Sequence, residues 1–190
     1  MKKIDNKEYE KIVHDNAKDL IMKNGIKGWN MDELASLSGV AKKTLYGIIG
    51  SKEKLILELF EKETEKSHNA MVALVSGTES SRIKLEKLMF EMPIRLGGFT
   101  RKFAREMRTE FPLVQKKLKA KHEVQLKLVA DFLKSCKSEG ILKKEIDIEV
   151  LLYLFKTIIE SMVLSDYSEE KYALYSRKSM EYILRGVIKK

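Results

Sequence analysis

An all-α fold is what this chain of 190 residues predicts, and three observations carry that reading. Only two prolines and ten glycines interrupt it, whereas Lys, Glu, Leu, Ile and Met, which lose little rotamer freedom in a helix, are abundant. Apolar residues recur every three to four positions, the spacing that turns one face of a helix toward a core. The breaks in that spacing fall on residues that stop or start helices: Asn24-Gly25, Ser38-Gly39, Gly50-Ser51, Ser76-Gly77-Thr78, Gly97-Gly98, Phe111-Pro112 and Gly140. With 44% apolar residues there is ample material for a core, in one domain or two small ones.

The first helix spans 7–24, with Ile12 or Val13, Ala17, Leu20 and Ile21 as its inner stripe. Gly25 caps its end, and Ile26 folds back. Trp29, the only tryptophan, is placed to brace this helix against the next. Asn30 supplies a side-chain oxygen for an N-cap, and Glu33, three residues on, reaches back as in a capping box. The short helix that follows presents Met31, Leu34, Ala35 and Leu37 and stops at Ser38-Gly39. A second short helix, 42–48, turns Leu45 and Ile49 toward Leu34 and Val40. Lys42, Lys43, Thr44 and Tyr46 are left mostly on the outside. Two short helices joined by a tight turn are a helix-turn-helix pattern. Basic, hydroxylic and phenolic groups on its outer helix suit phosphates and base edges. Ser51 then caps a long helix with Glu53 near its positive end.

The words Gly39-Val40-Ala41-Lys42-Lys43-Thr44-Leu45-Tyr46 and Ser51-Lys52-Glu53-Lys54-Leu55 follow a first helix that ends at Asn24-Gly25. In that order and spacing they resemble the N-terminal domain of TetR-family transcriptional regulators, over about the first third of the chain. The resemblance implies a three-helix DNA-binding domain at 1–52, joined by a long helix to a helical bundle at 53–190 that binds an effector and dimerises. It implies a ligand-responsive regulator, a repressor in the family's usual sense, that binds a palindromic operator on double-stranded DNA as a homodimer. Lys42, Lys43, Thr44 and Tyr46 are the main candidates for DNA contact, with Asn30 and Lys52 expected to anchor the flanking phosphates through the helix N-termini and charge. Two departures stand out: Ile48-Ile49 replaces the family's usual aromatic pair, and Gly47 weakens the recognition helix by ~1 kcal/mol relative to alanine. They favour an alternative, a helical ligand-binding or interaction module whose helix-turn-helix has lost operator binding.

The long fourth helix continues through Ile56, Leu59, Phe60, Ala70, Met71 and Leu74 to a loop at Ser76-Gly77-Thr78. Helices are then expected at 83–96, kinked or ended by Pro93, at 99–109, and at 112–138 with Pro112 in the first turn. Around these breaks lie Phe90, Met92, Leu96, Phe99, Phe103, Met107, Phe111 and Phe132, which are expected to line an adaptable apolar pocket for a small effector. Arg95, Arg101, Arg105 and Arg108 cluster in the same stretch, and one turned inward suits a carboxylate. The last helices, 148–165 and 169–187, carry more apolar surface than one buried face requires. Leu152, Phe155, Ile159, Met162, Tyr175, Tyr182 and Ile183 are accordingly expected to form a four-helix dimer interface with a twin subunit.

The remaining composition narrows the function classes. A net charge of +9 favours an acidic partner. No window approaches 18 apolar residues, and the basic N-terminus runs straight into further charges, so neither a membrane span nor a signal peptide is expected and the default compartment is the cytoplasm. The single Cys136 has no partner for an intramolecular disulfide and reads as a small buried hydrophobe. His14, His68 and His122 are far apart, with no HExxH, GxSxG, Walker A or dinucleotide-binding pattern, so no metal, cofactor or enzymatic activity is expected.

Overall fold

The computed structural model describes residues 6–96 and 99–189. In chain order the helices are α1 (Asn6–Asn24), α2 (Met31–Leu37), α3 (Lys42–Ile49), α4 (Lys52–Ser76), α5 (Ser81–Leu96), α6 (Phe99–Glu110), α7 (Pro112–Ser138), α8 (Ile148–Val163) and α9 (Glu169–Val187). The fold is all-α, as the helix-forming composition and its punctuation require. Among the described residues, an isolated antiparallel bridge joins Leu142 and Ile188. None of the described helices is long and apolar enough to cross a membrane.

The chain divides into two compact units, Met1–Glu63 with Arg105–Leu118, and Thr64–Ala104 with Lys119–Lys190. Besides α1, α2 and α3, the first unit takes in the start of α4, the end of α6 and the start of α7.

In the first unit α1, α2 and α3 pack on one another. Val13, Ala17, Leu20, Ile21, Leu34, Leu45 and Ile49 are buried, joined by Leu55, Ile56, Leu59 and Phe60 of α4. The turn between α2 and α3 follows from Gly39, whose φ of 65° lies in the left-handed region where a Cβ is penalised. Val40 N–H donates to Ala35 O at 3.1 Å and Gly39 N–H to Ser36 O at 3.2 Å, a Schellman closure of α2. Trp29 is buried, as its bracing role demands. His14, also buried, links α1 to α4: Nδ1 lies 2.7 Å from Glu10 O and Nε2 3.0 Å from Glu58 Oε2.

Gly47 is exposed on α3, and a Cβ built there meets nothing within 4 Å. Gly47→Ala therefore removes a helix-weakening residue without a clash. The expected outcome is a gain of ~1 kcal/mol, read as a rise in thermal midpoint of roughly 2–4 °C.

The second unit has one core built from five helices. Met71 of α4, Leu85, Leu88, Met89 and Met92 of α5, Val129, Phe132, Leu133 and Cys136 of α7, Leu151 and Phe155 of α8, and Met180, Leu184 and Val187 of α9 form a single buried cluster. α5 packs on α9, and α9 on α8. Pro93 does not end α5, which runs on to Leu96. Asp147 caps α8 by accepting from Glu149 N–H and Val150 N–H.

Cys136 has no exposed surface, and burial pushes its thiol up to about 11. Because the folded value is raised, the native state favours the neutral thiol. That contribution is complete at neutral pH and is lost as pH rises toward 11. The native protein is expected to react with iodoacetamide at pH 8 far more slowly than the urea-unfolded chain, and equal rates would mean that the thiol is open to solvent.

Candidate functional site

On α3 the apolar residues Leu45 and Ile49 point inward, so the rest of a short helix must face out. Lys42, Lys43, Thr44 and Tyr46 are exposed, and Ile48 is half-buried. Ala41 occupies the N-cap position and makes no side-chain cap, which leaves the first amides of α3 without an internal acceptor. A positive helix end bearing Lys43, with Thr44 and Tyr46 following, is chemically suited to a phosphate and the base edges beside it. Asn30 caps α2, its Oδ1 accepting from Asp32 N–H and Glu33 N–H at 2.9 Å each.

Two of the expected phosphate contacts are committed elsewhere. Lys42 Nζ pairs with Asp32, 2.7 Å from Oδ1 and 2.9 Å from Oδ2, so the charge at the start of α3 is answered from α2. That hydrogen bond raises the Lys42 ammonium above its ordinary value. Lys52 turns away from the outer surface. Its Nζ donates to Trp29 O at 2.6 Å and Lys27 O at 3.3 Å and sits 4.2 Å from the Trp29 ring centroid. Burial lowers the Lys52 ammonium against the opposing pull of Glu106. The reason is proximity in space: the α1–α2 loop brings two carbonyls and an aromatic face to a lysine that the sequence sets 23 residues later.

The same loop is held by a residue that sequence reasoning missed. Glu106 of α6 accepts from Ile26 N–H at 3.0 Å through Oε2 and from Lys27 N–H at 2.8 Å through Oε1. Lys27 also pairs with Glu110. Nothing local in the sequence marks Glu106, since its partners lie 79 and 80 residues away.

The residues expected around an effector are distributed between the two units. Met107 is buried and Phe111 half-buried in the first. Phe103, Met92 and Phe132 are buried and Phe90 half-buried in the second, where Met92, Phe132 and Phe90 belong to its core cluster. The side chains of Leu96, Phe99 and Arg95 lie outside the described residues. Of the other arginines in that stretch, Arg105 and Arg108 are exposed, whereas the Arg101 side chain is only 10% exposed.

Among the expected dimer-interface residues, Phe155 and Met162 are buried within their own protomer, at 4% and 6% exposure, and so present little surface to a partner. Leu151 and Phe155 are four apart and share the stripe that fills the core of the second unit. Leu152, Ile159 and Ile183 are half-buried, and Tyr175 and Tyr182 are exposed. Val150, Tyr153, Leu154 and Leu174, which the expectation omitted, are exposed as well. Their signal was present, as apolar positions off the core stripes of α8 and α9.

Among the described residues no group of three His, Cys, Asp or Glu side chains is placed to hold a metal ion.

No protein-family model matches the sequence, and no curated protein matches it. Solved structures do match over nearly the whole chain. A transcriptional regulator from Saccharomonospora viridis in complex with choline superposes with a TM-score of 0.80 at 16% identity, covering 97% of this chain and 100% of that one. A TetR/AcrR-family transcriptional regulator from Thermobifida fusca gives a TM-score of 0.80 at 14% identity, covering 93% and 97%. The transcriptional regulator FadR from Bacillus subtilis in complex with stearoyl-CoA gives 0.72 at 19% identity, covering 93% and 98%. At these identities the likeness speaks for the fold: the backbone course is shared although few side chains are. The chain has the fold of the TetR-family transcriptional regulators.

Proposed function

We propose that this chain is a ligand-responsive, cytoplasmic transcriptional regulator of the TetR family, a repressor that binds a palindromic operator as a homodimer and is released by a small, largely apolar effector. Residues 1–52 carry DNA binding, and 53–190 carry effector binding and dimerisation. The observation behind the reading is α3, an exposed helix with no side-chain cap at its N-terminus and with Lys43, Thr44 and Tyr46 on its outer face. Two such helices in a dimer enter successive major grooves about 34 Å apart, or at a related spacing. Lys43 meets phosphate, while Thr44 and Tyr46 approach base edges. Lys42 adds charge at the rim of its pair with Asp32, Asn30 presents the first amides of α2, and Lys52 holds the loop between α1 and α2. Similar folds solved with choline and with stearoyl-CoA support a ligand in the second unit. The work done is binding, not catalysis. A ligand must favour one disposition of the two α3 helices over another, since equal affinity for both shifts nothing.

Selection from a random DNA pool with the full-length protein tests the reading. Enrichment of an inverted repeat, with affinity falling steeply between about 50 and 200 mM salt, is the expected outcome. A folded dimer that enriches nothing would overturn it in favour of a ligand-binding module with a divergent helix-turn-helix. On the selected operator, Lys43→Ala is expected to weaken all sequences alike and to lower the salt slope by about 1. Thr44→Ala and Tyr46→Ala are expected to relax preference at individual base pairs by ~1–3 kcal/mol. Binding unchanged by all three would remove α3 from the interface.

A further inference from the structure

Among the described residues of the second unit, one arginine is buried with its charge only partly answered. Arg101 lies on α6 with its side chain nine-tenths buried. Its guanidinium carbon sits 4.5 Å from the Tyr172 ring centroid, and Nη2 donates to Tyr167 O. The nearest carboxylate is Glu169, whose Oε1 is 3.6 Å from Nη1 and whose side chain is 95% exposed. At that length the contact is an ion pair in water and not a hydrogen bond. Nε is buried and has no hydrogen-bond partner among the described residues.

Near Arg101 two polar side chains of α9 are buried among the apolar residues of the second unit. Tyr172 and Ser176, one turn apart on α9, are both buried. Tyr172 O–H donates to Pro93 O at 2.6 Å, answering a carbonyl in the last turn of α5. Ser176 Oγ contacts Met162 Sδ at 3.8 Å. Met92 and Phe132 are core residues of the same unit. A buried cation is costly unless paired and fully hydrogen-bonded, and here the pairing is incomplete. The pattern of an apolar surround with a few convergent polar groups is that of a small-molecule site.

We propose that Arg101 is the recognition group of the effector site, and that the effector is an apolar molecule ending in a carboxylate. The carboxylate accepts from Nε–H and from the Nη2–H on the same side of the guanidinium, Nη2 keeping its second hydrogen for Tyr167 O, and its apolar part lies toward the apolar residues of the second unit. One guanidinium calls for a single negative charge, and its planar fork fits the two oxygens of a carboxylate. This rests on the reading of 53–190 as an effector domain and adds to it the chemical class of the ligand.

The test is calorimetric titration of the full-length protein with octanoate, dodecanoate and 3-phenylpropanoate, each against its primary amide. At least one acid is expected to bind tenfold or more tighter than its amide, and Arg101→Met is expected to abolish that preference. Without ligand, Arg101→Met is also expected to leave the thermal midpoint equal or higher, because it removes a poorly paired buried charge. Arg101→Lys keeps the charge and loses the fork, so it is expected to retain only part of the preference. Failure of all three acids to bind, or acid and amide binding alike in the wild type, overturns the proposal. So does a lower midpoint in Arg101→Met together with an intact acid preference in Arg101→Lys, which marks a structural arginine. The regulatory reading fails separately, if the acid binds through Arg101 yet leaves affinity for the selected DNA unchanged.

Discussion

Tyr153→Glu combined with Tyr182→Glu is expected to yield a folded monomer that has lost operator binding. Both side chains are about two-thirds exposed in the protomer, at 66% and 67%, on helices α8 and α9 that pack on each other. Val150, Leu154, Leu174 and Tyr175 extend the same apolar exposure. Much of this surface is left uncovered within the protomer, whereas a twin subunit seated on it buries aromatic and aliphatic area. Two introduced carboxylates per subunit place four charges in that interface without partners, a penalty of several kcal/mol. Dissociation then leaves each half-site bound alone, and affinity for an inverted repeat falls by orders of magnitude. Sedimentation velocity and operator titration read the two effects. Phe155→Ala is the contrasting control. It opens a cavity in the core of the second unit and is expected to lower stability by ~3–5 kcal/mol. A double variant that remains dimeric would move the interface away from α8 and α9.

Glu106→Ala is expected to lower the thermal midpoint by roughly 5–10 °C. The carboxylate accepts the N–H groups of Ile26 and Lys27, and Ile26 is completely buried. Without it a buried donor is left unmet, at a cost of about 1–3 kcal/mol, and the second, charge-assisted bond adds a smaller share. For a chain of this size each kcal/mol corresponds to roughly 2–4 °C. Gln at 106 keeps an acceptor for one amide but turns an N–H toward the other, so its midpoint should fall between those of wild type and the alanine variant. Glu110→Ala breaks only the exposed pair with Lys27 and should change stability by less than ~1 kcal/mol. The loop held by Glu106 also receives Lys52, and it joins α1 to α2. Glu106→Ala is therefore expected to weaken operator binding at temperatures where the protein remains folded. If its midpoint matches that of Glu110→Ala, the two hydrogen bonds do not hold the loop.

Local chemistry was enough to read most of the helix boundaries. Asn30 accepts from amides two and three residues on, and Gly39 and Gly140 stop helices in the left-handed region; Asp147 and Ser168 cap in the same local way, although they were not singled out. These are interactions among neighbours in the chain, so residue type and spacing reveal them. The inward set of α3, Leu45 and Ile49, and the outward set, Lys43, Thr44 and Tyr46, were legible for the same reason: a helix fixes which positions share a face.

What tertiary structure alone decided is which of these side chains remain available. Lys42 is answered by Asp32, ten residues away; Lys52 by the Trp29 carbonyl, 23 away; and the loop amides by Glu106, 79 and 80 away. Arg101 meets Tyr167 across 66 residues and was one of four similar arginines in the sequence. Likewise, Phe155 and Tyr153 belong to one apolar run, yet one fills the protomer's core and the other faces outward. By itself the sequence determined the helices, the cap at Asn30 and the face most helices turn inward, because backbone hydrogen bonding and helical period act over a few residues. The partners of its charges, and the division of its apolar surplus between core and exposed face, depend on groups that only packing brings within a few ångströms.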